Sequence, residues 1–160
     1  KFGITCLASA AQWQQTQMVR FLVQEAEVEV NRRNSEGQTA LFRAANSDEI
    51  ETLKCLVEEL GADVNVQDCE GNTVLMLAAS NGYSRVASYL VQYPDTNLFL
   101  RDKQGRTALD YSSEFFRVNV LSEMRRAILH VMERDLDSLN MLYSSILKAV
   151  ALGNEKMDRG

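Results

Sequence analysis

The sequence predicts an all-α solenoid of about four helix-turn-helix repeats closed by a C-terminal helix. Three observations carry that prediction: a short motif that returns at one fixed interval, an apolar helical pattern after each return, and the loss of both near the C-terminus. The motif is Gly-x-Thr-x-Leu, at Gly3/Thr5/Leu7, Gly37/Thr39/Leu41, Gly71/Thr73/Leu75 and Gly105/Thr107/Leu109, always 34 residues apart. Three residue types kept across four copies at one interval are far more specific than any single short motif, and such a period marks a repeat architecture.

Each motif position has a physical reason to recur. Gly tolerates positive φ, and Asn34, Asp68 and Asp102, three residues before each Gly, can bond nearby backbone amides, so 34–37 and 68–71 read as tight turns. Thr39, Thr73 and Thr107 stand where a hydroxyl accepts an N–H at a helix start. The Leu anchors a short first helix. Small pairs follow at Ala10-Ala11, Ala44-Ala45 and Ala78-Ala79, becoming Ser112-Ser113 in the last copy, and let a neighbouring helix approach closely. Gly82, after Asn81, breaks that helix. A second apolar segment then begins: Met18, Val19, Phe21 and Leu22; Leu53, Cys55, Leu56 and Val57; Val86, Ala87, Tyr89 and Leu90. The spacings describe one broad helical face. Gly61 ends the second helix.

The fourth copy ends the series, because Leu139 stands where the next Gly would fall. Its second helix is expected to run on through Val118, Leu121, Met124, Ile128 and Met132. A new helix start at Asp135 to Ser138, with Leu139, Leu142, Tyr143, Ile146 and Val150 at helical spacing and Gly153 as a stop, predicts a capping helix within 135–153. A cap is expected because an exposed last repeat would present its apolar face to water. Residues 1–134 are thus read as the array and 154–160 as a frayed tail. The chain opens two residues before a Gly of the motif, and its first short helix is mostly apolar or small. Further repeats, or another domain, are therefore expected before residue 1.

Composition narrows the function classes. The 17 Lys and Arg against 22 Asp and Glu give a net charge of -5, which argues against nucleic acid, where cationic side chains supply most of the affinity. No apolar run approaches the roughly 20 residues that span a bilayer, so no membrane role is expected. Cys6, Cys55 and Cys69 form no close pair, as in a reduced intracellular setting, cytoplasmic or nuclear. Cys6 and Cys55 are expected to be buried as small apolar residues, with Cys69 in a turn. His130, the single histidine, has no ligand or nucleophile partner at useful spacing. No phosphate loop, zinc pattern or EF-hand spacing occurs. The reading is therefore of a non-enzyme with no cofactor and no metal.

The repeat resembles the ankyrin repeat, whose signature is similar to Asp-x-x-Gly-x-Thr-Pro-Leu-His-x-Ala-Ala, and 60–65 (Leu-Gly-Ala-Asp-Val-Asn) is similar to its closing loop. The resemblance covers about residues 3 to 134 and is weakest in the fourth copy. The family's Pro is replaced by Cys6, Ala40, Val74 and Ala108, and its buttressing His by Ala8, Phe42, Met76 and Asp110, which predicts normal topology at lower stability than a consensus array. The interval exceeds the family's usual 33 by one, and the extra residue is expected to lengthen the end of the second helix, around Glu58 to Leu60.

The resemblance implies a module that binds another protein or peptide through a concave face lined by turn tips and short-helix ends. Carried over by position, the tips are Ser35, Glu36, Gln38, Glu70, Asn72, Lys103, Gln104 and Arg106, and the short-helix sites are Gln12, Trp13, Asn46, Ser47, Ser80, Asn81, Glu114 and Phe115. Trp13 and Phe115 are the apolar exceptions, and they read equally well as contact residues or as packing against neighbours. Arg32, Arg33, Arg101, Lys103 and Arg106 flank the acidic Asp68 and Glu70; this reads as ordinary solvated turns first and as a charge-alternating groove second. The rival functions are a regulatory or substrate-recruiting domain of a larger enzyme, a structural spacer and, disfavoured by the acidity, an RNA surface.

Overall fold

A computed structural model of the protein describes residues 5–114, together with 122, 125, 126, 128 and 129. These residues form helices and turns with no strand among them. The short first helices are α1 (Cys6–Gln12), α3 (Ala40–Ala44), α5 (Val74–Asn81) and α7 (Ala108–Glu114). The second helices are α2 (Thr16–Gln24), α4 (Glu51–Lys54) continuing directly into a π-helical turn at Cys55–Glu59, and α6 (Ser84–Gln92). The short helices stack on one another, α1 on α3, α3 on α5 and α5 on α7, while α1, α3 and α5 each pack on the second helix of their own copy.

The stacking follows from side-chain size. Leu7, Leu41 and Leu75 are buried, and the Ala pairs at 10–11, 44–45 and 78–79 leave no room for solvent between successive copies. In the fourth copy Ser112 is equally buried, its hydroxyl donating to the Ala108 carbonyl at 2.9 Å. The described part of this copy thus keeps the packing while exchanging a methyl for a satisfied hydroxyl.

The turns repeat almost atom for atom. Asn34 Oδ1 accepts from the N–H groups of Glu36 (2.9 Å) and Gln38 (2.8 Å), Asp68 Oδ1 from Glu70 (2.9 Å) and Asn72 (2.8 Å), and Asp102 Oδ1 from Gln104 (2.9 Å) and Arg106 (2.8 Å). Gly37, Gly71 and Gly105 have φ of +78°, +84° and +77°, as the turn requires. Neighbouring turns are joined by Cys69 N–H donating to Glu36 O (2.8 Å) and Lys103 N–H donating to Glu70 O (3.0 Å). Beneath them runs a side-chain ladder. Arg33 donates to Gly37 O and Gln67 O, Gln67 to Gly71 O and Arg101 O, and Arg101 to Gly105 O. Arg33 and Arg101, read from sequence as solvated or groove-lining charges, are therefore structural donors: Arg33 joins its turn to the next copy, and Arg101 closes its own turn.

Three expectations about local structure need correction. Thr5, Thr73 and Thr107 do cap their helices through Ala8, Met76 and Asp110 N–H. Thr39 occupies the same position yet makes no cap bond, and its buried Oγ1 has no partner. Cys6 is exposed rather than buried, because burial at this register is supplied by a preceding copy: Ala40, Val74 and Ala108, one interval on, are all buried. The extra residue of the 34-residue interval lies where expected, but it widens the helix rather than lengthening it. Leu60 N–H reaches back five residues to Cys55 O (3.1 Å), and Ala26 N–H to Phe21 O (3.1 Å), each taking up one residue more than an α turn. The third copy instead stops at Tyr93, held extended before Pro94.

The proposed run of 118–132 is helical at the positions described there, Ser122, Arg125, Arg126, Ile128 and Leu129, with Ile128 buried. Phe115, His130, the capping helix at 135–153 and the tail at 154–160 lie outside the described residues.

Candidate functional site

The residues expected at the turn tips and short-helix ends differ in exposure. Ser35, Glu36, Glu70, Lys103 and Gln104 are exposed at the tips, whereas Gln38, Asn72 and Arg106 are partly buried behind them. From the short helices come Trp13, Asn46 and Asn81, exposed, and Gln12, Ser47 and Ser80, half-buried. Glu114 is the last residue of α7.

Several of these side chains are already engaged. Ser47 Oγ accepts from Gln14 at 3.1 Å, Asn81 donates to Leu77 O at 3.0 Å, and Ser80 donates to the same carbonyl at 3.0 Å. Glu36 lies 3.8 Å from the half-buried Arg43 and Glu70 lies 3.9 Å from the exposed Lys103, loose pairs that cost little to separate. Trp13, 73% exposed, is the most open large apolar side chain described.

Gln38, Asn72 and Ser80 come together around an open cleft of about 170 Å³, whose remaining walls are Phe42, Asp68, Met76, Leu77 and Tyr111. Phe42 and Met76 are buried and make its apolar floor. Phe42 cannot accept a hydrogen bond, which leaves its helix start without the support that Met76 gives Thr73 N–H (3.4 Å) and Asp110 gives Thr107 N–H (2.8 Å).

Beside the cleft, one turn is closed by its own side chains. Asp102 Oδ2 accepts from Arg106 Nε at 2.9 Å and lies 2.9 Å from the Tyr111 hydroxyl, which also sits 3.0 Å from Asn72 Oδ1. The Arg106 guanidinium stacks 4.5 Å from the Tyr111 ring centre. Burial works to raise the Asp102 carboxyl, but the Arg106 backbone N–H, the Tyr111 hydroxyl and the guanidinium together hold it below the usual carboxylate range.

Sequence reasoning found Gln38, Asn72 and Ser80 but missed Phe42, Asp68, Met76, Leu77 and Tyr111. A signal was present at two adjacent registers: Ala8, Phe42, Met76 and Asp110, and Ser9, Arg43, Leu77 and Tyr111, differ in every copy while the Gly, Thr and Leu of the motif do not. On the opposite side, Arg20 grips Glu59 at 2.7 and 2.6 Å beside the buried Cys55, whose thiol is pushed up by burial and so stays protonated. Among the described residues no cluster of His, Cys, Asp or Glu could hold a metal, and no helix is long and apolar enough to cross a membrane.

Short helices stacked in register, with turn tips aligned along one edge, define a helical-repeat scaffold of the kind that presents a binding surface. A family model of ankyrin repeats, in three copies, matches residues 1–68 and 51–130. The chain belongs to the ankyrin repeat family, whose members are generally protein-protein interaction modules and typically non-catalytic. No curated protein matches the chain.

Proposed function

We propose that this chain binds a partner protein or peptide through the concave face formed by its turn tips and short-helix ends, within the 1–134 array of four copies. One observation carries the reading: the turns are held by the backbone, by Asn34, Asp68 and Asp102, and by the ladder of Arg33, Gln67 and Arg101. The Glu36 and Glu70 side chains play no part in that frame and are held only by loose ion pairs to Arg43 and Lys103, so they can turn to a partner. A regulatory or recruiting domain of a larger enzyme would use the same surface.

The face is tested with a partner captured from lysate, comparing Trp13→Ala and Asn81→Ala with Gln24→Ala on the exposed side of a second helix. Trp13→Ala is expected to weaken binding by about 2 kcal/mol, roughly 30-fold in Kd, with unchanged melting. Loss of affinity only in the Gln24 variant would place the partner on the other side.

A further inference from the structure

The cleft and the closed turn beside it are the same structural position one copy apart. Asp68, Asn72 and Leu77 line the cleft; Asp102, Arg106 and Tyr111 stand 34 residues further on. At Asp102 the second carboxylate oxygen takes the Arg106 guanidinium and the Tyr111 hydroxyl. At Asp68 the first oxygen does the same turn-holding work, but among the described residues the second has only the Asn72 amide, a long 3.3 Å contact. The cation and the aromatic that close one site are replaced by a shorter amide and a Leu, and space is left over.

Resting on the concave-face reading, we propose that this cleft receives one arginine side chain from the bound partner, its guanidinium on Asp68 Oδ2 and its stem across Met76 and Leu77. The chain itself supplies the precedent for the chemistry, since Arg106 meets Asp102 and an aromatic ring together. A planar guanidinium suits a carboxylate set beside apolar walls better than an ammonium does, because it is less strongly hydrated and can stack while it donates. The volume suffices: about 170 Å³ lies between the walls, near the roughly 150 Å³ that admits a benzene ring in an apolar cavity. Glu36 and Glu70 at the adjacent tips are held only by loose pairs with Arg43 and Lys103, and the net charge of -5 on the chain favours a cationic ligand. Gln38, half-buried at the rim, makes no side-chain bond among the described residues and can pair with the partner's backbone beside the arginine.

The test is a titration of the isotope-labelled chain with N-acetyl-arginine amide, followed by backbone NMR, against the citrulline analogue of the same shape without charge. Arginine should shift the Glu70, Asn72, Leu77 and Ser80 amides with millimolar affinity, and citrulline should bind about tenfold or more weakly. Asp68→Asn should abolish the shifts while keeping the fold, because Asn34 holds the same turn in the second copy. The double variant N72R/L77Y, which copies the closed turn into the cleft, should also block binding and should melt no lower than the parent. Equal response to citrulline, shifts that survive Asp68→Asn, or no shift at these amides would each overturn the proposal. The outcomes separate from those of the broader reading: arginine binding with a partner indifferent to Trp13 and Asn81 would sink the concave face alone, and the reverse pattern would sink the cleft alone.

Discussion

The first helix pair, α1 and α2, and the third, α5 and α6, share a register but not an environment. In the third pair Val74 and Val86 are fully buried, Thr73 caps its helix, and Gly82 takes the left-handed turn between the helices at φ +73°. In the first pair the matching positions are Cys6, exposed, Met18, 47% exposed, and Gln14, a non-glycine at φ +54°. Phe21 is 55% exposed where Cys55, one copy on, is 2% exposed. A residue in such an array is buried by the copy before it, so the same letter at the same register differs in energy with its place in the stack.

Truncating the same Leu in two copies breaks this comparison most sharply. Leu56 is wholly buried between copies, and Leu56→Ala should destabilise by about 4 kcal/mol, from lost burial plus the cavity left behind. Leu22, its equivalent, is only partly buried, and Leu22→Ala should cost about half as much or less. Denaturant melts of the two variants side by side decide the matter; equal losses would mean that the outer surface of the first pair is covered as well as the inner one.

Glycine turns give the next largest contrast. A Cβ on Gly71 would stand 2.9 Å from Asp102 Cα and 3.0 Å from Lys103 N, both backbone, in a φ of +84°. Gly71→Val should therefore cost about 3 kcal/mol, the left-handed strain plus a clash that cannot move without opening the next turn. At Gly105 a Cβ meets nothing within 4 Å, so Gly105→Val should cost only the strain, about 1 kcal/mol. If both variants melt alike, the contact between the third and fourth turns is not holding the stack.

These contrasts also mark what the sequence could and could not reveal. Turns at Gly37, Gly71 and Gly105, paired helices, the small stacking pairs and the place of the extra residue were all legible, because each depends on residues close in sequence. Cys6 was misjudged because local pattern says what a position wants, not whether a neighbour is there to cover it. Thr39 was misjudged because the motif specifies a hydroxyl, while whether that hydroxyl reaches an N–H depends on the short five-residue helix that follows it. The cleft escaped because its walls come from 38, 42, 68, 72, 76, 77, 80 and 111, three copies at once, and its emptiness follows from small residues at two of those positions rather than from any motif.

The smallest expected effect is a gain, and it sharpens the comparison from the side of the first pair. Glu27 sits at φ +52°, one copy before Gly61, which has φ +72°. A left-handed conformation costs a side chain with a Cβ about 1 to 2 kcal/mol, and Glu27 is exposed, its side chain making no hydrogen bond or ion pair among the described residues. Glycine relieves that strain but widens the unfolded ensemble, which takes back about 0.5 to 1 kcal/mol. Glu27→Gly should therefore stabilise by about 0.5 kcal/mol and raise Tm by about 1 to 2 °C. The reciprocal change, Gly61→Ala, introduces the strain where there is open space around the Cβ, so it tests the conformation without a clash and should lower stability by about 1 kcal/mol. Opposite signs in the two variants would show that the helix-to-loop turn takes the same backbone shape in both copies and that the first copy carries it at a cost. A loss of stability in Glu27→Gly would mean instead that the first turn relaxes away from the left-handed region in solution, and the register shared by the first two copies would then end at α2.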